Sequence, residues 1–568
     1  MKFKEHETQQ KLRGGYYTPQ PMAELLTRWV LSQGARTLLE PSCGDGVFLR
    51  ALHAHLQAAP RLSRLTVDAV EIEAEEAAKS ARESERLRAC GVEARVIQHD
   101  IFRWLTEDNA GRQWDAILGN PPYIRYQYFE KAQRDLAERV FQRAGVPFSR
   151  RTNAWASLVL ACVTHLKPGG CLALVLPAEL LHIQHAGGLR QLLEREMETI
   201  TLLHIREMVF PDVLQGVVLL LARKKREAES FDASPTRQQN AQISPAPASA
   251  RIRLLEFDTL ASLAKLDVEQ LEASSPRSIS ETQGEWMLGL LTPPEARLLA
   301  DLQAHPLVQP FASVARVDIG IVTGANDFFV VNQETLERFE LASIAAPMLA
   351  KSELIKGIVY TQSDHETNQE AGKAVFFLKF PARELAALSP PMAAYISSGE
   401  ARQLHARYKC RIREPWYVVP YVWTAEMALL KRCHLYPRLV VNDLGAHSTD
   451  TAYRVRLHAS TAGRGRDLAA SFLNSLTFLC AELGGRHYAG GVLELVPSEI
   501  EKLLIPLQAV ADPIFARLDA MIRARVSLDE LLAFTDPLIL GQGLGLTPQD
   551  IQLIQSAHRR LLKRRLRQ

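Results

Sequence analysis

Apolar runs of strand length recur along the first part of the chain, at residues 37–40, 66–71, 95–98, 115–119, 171–176, 200–205 and 217–222. Stretches with helical spacing fall between the earlier ones, at 21–32, 46–57, 74–90 and 155–166. A strand covered on one face alternates apolar and polar residues, whereas one covered on both faces is apolar throughout. Runs such as LALVL, within 171–176, are of the second kind. The pattern predicts βαβ units, and so a mainly parallel, seven-stranded, Rossmann-like sheet clad in helices. The last two runs follow each other without a long helix, which predicts an antiparallel pair at the sheet edge.

Past Arg223 the pattern lapses. The segment KKREAESFDASPTRQQNAQISPAPASA is polar and aperiodic and cannot bury enough surface to offset the entropy of ordering it. It divides the chain into an expected catalytic α/β domain at 1–225, a polar linker at 226–252, a mixed α+β domain at 253–507 and a helical region at 508–568 ending in HRRLLKRRLRQ. Composition changes little: 47% hydrophobic and 23% charged over 568 residues is ordinary for a globular protein. No apolar run is long enough to span a bilayer and the N-terminus has no signal-peptide core, so a cytoplasmic location without membrane contact is expected. The seven cysteines are scattered without a C-x-x-C pair, which predicts reduced thiols. His53, His55, His182 and His185 lack acidic companions, so no metal site is expected.

The candidate chemistry lies at the ends of the predicted strands. In LLEPSCGDGVFLRAL, Glu40 and Pro41 end the first run, and Gly44 and Gly46 form a turn before a helix. Such glycines let the backbone approach a ligand at the carboxyl edge of a parallel sheet. A dinucleotide fingerprint needs a third glycine where Leu49 stands. That weakens NAD or FAD and leaves S-adenosylmethionine (SAM), which has no pyrophosphate to cradle. Glu71, followed by Ile72, is placed to accept ribose hydroxyls, and Asp100, followed by Ile101, to accept from the cofactor's adenine amine. Either acid is also placed to cap the helix after it. Upstream, Thr18 in GGYYTPQPMAEL can cap a helix while lying over the methionine end of the cofactor.

After the fourth run comes Asn120-Pro121-Pro122-Tyr123. An exocyclic amine on a purine is a poor nucleophile because its lone pair is delocalised into the ring. Two acceptors, the Asn120 side-chain oxygen and the Pro121 carbonyl, can hold its hydrogens and draw the nitrogen towards tetrahedral geometry. The two prolines stiffen the loop, and Tyr123 offers a ring on which a base can stack. A rigid turn between strand and helix would use the same residues.

Taken together, GGYYTP, EPSCGDG, VEIE, HDIF, NPPY and GGCLALVLPAEL, in that order, resemble the gamma-class N6-adenine DNA methyltransferases of type II restriction–modification systems. The segments VDIGIVTGANDFFVV, KYKCRIREPWYVVP and FLNS…GGRHYAGGVLELVPSEIEKLLIP are similar to the target-recognition domain of that family, so the resemblance covers most of the chain. It implies SAM as methyl donor and double-stranded DNA as partner. It also implies a flipped adenine held between Tyr123 and Phe210, the latter matching the family's stacking phenylalanine in MVFPDVLQG. A cognate restriction endonuclease, where there is one, is expected on a separate chain. For the DNA surface the candidates are Arg402, Arg407, Lys409, Arg411 and Arg413, interleaved with Tyr408, Trp416 and Tyr417. Two alternatives stay open: a SAM enzyme acting on RNA or a protein glutamine, and a non-catalytic DNA-binding protein that retains the fold.

Overall fold

The computed structural model describes residues 17–58, 65–124, 131–148, 153–181, 186–207, 209–210, 216–226, 250–268, 271, 286–488 and 490–566. The chain forms two compact units, Met1–Leu290 and Leu291–Gln568.

In the first unit the apolar runs become strands β1 (Thr37–Glu40), β2 (Thr66–Glu71), β3 (Glu93–Gln98), β4 (Trp114–Gly119), β5 (Leu166–Pro177), β6 (Met197–Ile205) and β7 (Val217–Lys224). The sheet has eight strands rather than seven, in the order β3-β2-β1-β4-β5-β7-β6-β8, with β8 formed by Arg251–Phe257. β1 to β5 run parallel, β7 is antiparallel to both β5 and β6, and β8 is parallel to β6. The expected antiparallel pair is therefore present, but β8 lies outside it at the edge. The physical reason for β8 is that β6, buried mostly on both faces, offers a row of backbone groups that needs a partner.

This shifts the domain limits read from sequence. Residues 251–257, assigned there to the linker and the recognition domain, belong to the first sheet, and the first compact unit runs on to Leu290. Most of the polar linker, 227–249, lies outside the described residues. The helical region 508–568 forms no separate body either. It packs within the second unit, where the fully buried Arg565 donates to both carboxylate oxygens of Glu482, at 2.7 Å from Nη2 to Oε1 and 2.9 Å from Nε to Oε2.

Both faces of the first sheet are covered. Leu38, Val67, Ala69, Ala116, Leu118 and Ala173 share one core with the helices Gln20–Ser32 and Val47–Ala58, while the intervening Leu39, Val70, Ile117, Leu172 and Leu174 are buried as well. The helix Ala154–Thr164 packs on β5 and buries every residue from Ala154 to Val163, as an apolar helix inside an α/β fold must. Parallel register (Leu38↔Val67, Leu38↔Ala116) brings Glu40, Glu71, Gln98 and Gly119 to one edge, the carboxyl edge at which such sheets bind ligands.

The second unit holds a five-stranded sheet, in the spatial order Ala315–Asp318, Ala452–Leu457, Met427–Leu430, Leu439–Asn442, Val359–Tyr360, and smaller sheets of four and three strands. Its C-terminal helix, Pro548–Leu566, lies against the helix Ser475–Gly484. The basic C-terminal turns are largely consumed by structure: Arg559 pairs with Asp529 at 2.8 Å and Arg560 with Glu295 at 2.5 Å. Among the described residues no helix is long and apolar enough to cross a membrane.

Candidate active site

The glycine turn after β1 is held from three sides. Gly44 N–H donates to Glu71 Oε2 at 2.8 Å, the Gly44 carbonyl accepts from Ser80 Oγ at 2.8 Å, and Cys43 N–H donates to the Val70 carbonyl at 2.9 Å. Gly46 has φ +83°, a conformation that strains any residue with a side chain, and a Cβ there would stand 3.1 Å from Ser80 Oγ and Glu83 Cγ, a tight approach of the helix Ala74–Ala89. Glu71 also accepts from Glu73 N–H at 3.0 Å through its other oxygen. Its carboxylate thus ties the end of β2 to the turn after β1. Ile72 beside it is 52% exposed, an apolar side chain turned to solvent at the sheet edge.

Glu40 is the anomaly. It is 1% exposed, and neither carboxylate oxygen has a hydrogen-bond partner among the described residues. Burial pushes its pKa well above the ordinary 4.5, the nearby Asp45 and Glu71 push it further, and Arg50 pulls the other way. Arg50 is itself occupied, donating to the Asp45 carbonyl at 2.8 Å and to its carboxylate at 2.7 Å. A buried carboxylate without a donor is costly unless something cationic completes it.

The tetrapeptide is locked at the end of β4. The Asn120 carbonyl accepts from Ser42 Oγ at 3.0 Å, and its side-chain Nδ2 donates to Thr18 Oγ1 at 3.1 Å. Thr18 is buried, so a residue far upstream sets which way the Asn120 amide faces. The Tyr123 hydroxyl donates to the Val175 carbonyl at the end of β5, 3.2 Å away, which fixes the ring. Pro121 and Pro41 are buried, and a Cβ on Gly119 would meet Pro41 at 3.2 Å, so the first and fourth strand ends touch here.

The structure therefore brings Thr18, Glu40, Pro41, Gly44, Gly46, Glu71, Ile72 and the tetrapeptide Asn120–Tyr123 to one edge. Asp100 stands at the adjacent strand end, but as a helix cap: Oδ1 accepts from Arg103 N–H at 3.1 Å and Oδ2 from Gln133 Nε2 at 2.9 Å. The capping alternative is realised there, with the half-buried Ile101 next to it. Phe210 departs from the expectation. It is 5% exposed within the core that also holds Leu203, Ile205 and Val217, so in this arrangement it presents no face to a base. Sequence reading missed Ser42 and Ser80; nothing in a lone serine announces that it will grip a loop from elsewhere in the chain. Among the described residues no group of three or more His, Cys, Asp or Glu could hold a metal ion.

The basic cluster in the second unit resolves into unlike parts. Arg413 donates to the carbonyls of Thr323 at 2.7 Å and Val322 at 2.6 Å, holding a loop rather than facing solvent. Arg402 and Arg407 share Asp327, the latter at 3.3 Å. Trp416 donates to Glu400 at 3.0 Å and packs 5.2 Å from Phe328. Lys409 and Arg411 are exposed and form no ion pair with the described residues.

A strand order of 3-2-1-4-5-7-6, extended by one strand, with an Asn-Pro-Pro-Tyr after β4 and a glycine turn after β1, defines the SAM-dependent methyltransferase fold. Residues 3–242 match the N-6 DNA Methylase family, and residues 283–540 match the family described as type II methyltransferase M.Eco57I, C-terminal domain. The first of these places residues 3–242 with the N-6 DNA methylases, and the two matches together make the chain an adenine-specific DNA methyltransferase of the restriction–modification kind. It is 21% identical over 508 residues to the type II methyltransferase M.AccI of Acinetobacter calcoaceticus, covering 86% of this chain and 84% of that one. To M.XamI of Xanthomonas campestris pv. amaranthicola it is 24% identical over 504 residues, covering 87% and 85%. The solved structure of the type IIG restriction endonuclease BpuSI is similar at a TM-score of 0.40 and 15% identity, over 97% of this chain and 66% of that chain.

Thr18→Val is expected to lower kcat about 3- to 10-fold, the worth of one hydrogen bond, while SAM affinity stays close to the parental value. Thr18→Ser, which keeps the hydroxyl, should restore turnover. A loss of SAM affinity equal to the loss of kcat would instead make Thr18 a cofactor contact.

Proposed function

We propose that the carboxyl edge of β1–β4 binds SAM and presents a flipped adenine of double-stranded DNA to it. The observation that carries this is Glu40, a buried carboxylate with no donor among the described residues, set among further acids beside the glycine turn. That site fits a cationic ligand with an apolar, hydroxylated body. Glu40 would face its positive charge, Glu71 its ribose hydroxyls, and the exposed Ile72 the flat face of its adenine. SAM, when bound, supplies an electrophilic methyl on a sulfonium.

The chain's own contribution is positioning. Asn120 Oδ1 and the Pro121 carbonyl accept the two hydrogens of the target amine, so its lone pair is released from the ring and aimed at the methyl. Thr18 keeps the Asn120 amide from turning, and Ser42 holds its backbone. Tyr123, tethered by its hydroxyl, stacks on the base. Asp100 retains a role beside the cofactor's adenine only through lone pairs its two present donors leave. Phe210 can serve as a second stacking surface only after leaving the core. The second unit reads the DNA, with Lys409 and Arg411 on phosphates, and a restriction endonuclease of the same specificity is the matching partner.

Single-molecule methylation sequencing of plasmid DNA from a methylation-free host expressing the chain tests the reading. N6-methyladenine confined to one short motif is the expected result. Unmodified DNA, from protein that binds SAM, would overturn it.

A further inference from the structure

The second unit carries a concavity of about 660 Å³ lined by apolar and cationic side chains together. One wall follows the strand Ala315–Asp318 and exposes Ile319 and Val322; the other exposes Ile412 and Tyr421. Tyr421 is 85% exposed. Large apolar side chains turned to solvent around one hollow mark a binding surface rather than a resting one.

The backbone of Tyr421 adds a second observation. Its φ is +57°, a left-handed conformation that a bulky L-residue adopts only when its surroundings compel it. What compels it is Arg454. From one buried guanidinium, Nε and Nη2 donate to the Ile319 carbonyl at 3.0 and 2.7 Å, and Nη1 donates to the carbonyls of Tyr421 at 3.1 Å and Trp423 at 3.3 Å. The same group lies 3.8 Å over the Trp423 ring. One side chain thus fixes the spacing between the two walls and holds Tyr421 out into solvent.

Charge indicates the occupant. Lys409, Arg413 and Arg454 line the hollow, and Asp318 is the only carboxylate among its lining residues. Asp318 is already paired with Arg316 at 3.4 Å. Beside the hollow, Lys409 and Arg411 flank the exposed ring of Tyr408 at 5.4 and 5.6 Å. An apolar floor bordered by uncompensated cations suits a polyanion that carries apolar edges. A DNA groove is such a surface, with thymine methyls on its floor and phosphates along both sides.

We infer that Tyr421, with Ile319, Val322 and Ile412, reads base edges of the target sequence, and that Lys409 and Arg411 hold the flanking phosphates. This rests on the reading of the chain as a DNA methyltransferase and names the surface that sets its sequence preference.

Tyr421→Gly is the decisive variant, because glycine adopts φ +57° without strain and so leaves the fold intact. Its melting temperature should equal or exceed that of the parent, and its SAM affinity should match. Methylation of the parental motif should fall at least about 10-fold, with marks appearing at sites that differ by one base, as expected for loss of a base contact. Lys409→Ala with Arg411→Ala should weaken binding to all DNA alike and reduce the slope of log affinity against log salt by about 2. A Tyr421→Gly protein that marks the parental motif at the parental rate overturns the inference. So does a change in the oligomeric state of the DNA-free protein in Tyr421→Gly, which would make the hollow a contact between copies. If the parental chain marks no DNA at all, the broader reading has failed and this one falls with it.

Discussion

Asn120→Ala is expected to lower methyl transfer about 10²- to 10³-fold, the scale on which removing one preorganised transition-state group acts. SAM affinity should hardly change. The side chain is placed to act on the incoming amine, and it donates to Thr18 at 3.1 Å. Alanine leaves the Asn120 carbonyl with its Ser42 donor, so the loop keeps its anchor. Single-turnover rates at saturating SAM and DNA separate the outcomes. A fall in rate with unchanged cofactor affinity supports the assignment, and an unchanged rate removes Asn120 from catalysis.

The second large effect belongs to Glu40→Gln, and it should have opposite signs in two measurements. SAM affinity should drop about 10- to 100-fold, since a charge-assisted partner is worth about 1.5–3 kcal/mol. The ligand-free protein should become more stable, because the neutral amide is cheaper to bury than a carboxylate without a donor. The pH dependence follows the same logic. Burial, then Asp45 and Glu71, raise the folded-state pKa above the ordinary 4.5, so the native state holds its proton more tightly than the unfolded chain. The resulting stability is fully present below about pH 4.5 and is lost as pH rises through the folded-state value. Glu40→Gln should flatten that slope above pH 4.5. Thermal melts across pH, with and without SAM, would show it. A variant that is less stable without SAM at neutral pH would mean that Glu40 has a structural partner after all.

Much of the first unit was legible because its central strands β1, β2, β4 and β7 are apolar and largely buried on both faces, a pattern that needs no tertiary information. β1, β2 and the start of β7 fall where the runs place them. β8 was not legible. RIRLLEF carries charges and exposes part of its surface, as an edge strand does, so its pattern could not be told from the irregular sequence beyond. The same divide runs through the site. Motifs picked out Gly44 and Asn120 as candidates, and Thr18 too, but not the bonds among them: Ser80 grips Gly44, and Thr18 and Ser42 hold Asn120, through contacts across the fold. In the second unit the arginine cluster was visible as composition, yet composition does not distinguish Arg413, spent on two backbone carbonyls, from Arg411, exposed beside Tyr408. Phe210 shows the reverse case: resemblance assigns it to the base, while in this structure its side chain packs in the core.

The placement of β8 also bears on how this enzyme tolerates being cut. Because β8 pairs with β6 along seven residues, from Thr199↔Arg251 to Ile205↔Phe257, the polar stretch between 227 and 249 lies upstream of the last strand of the catalytic sheet. A nick there would sever the polypeptide without separating the halves. The C-terminal fragment would keep a strand seated in the sheet of the other, and the two should co-purify as an active, bisected methyltransferase. Cleavage after 257 would instead leave the sheet complete on one fragment and remove that strand as a tether.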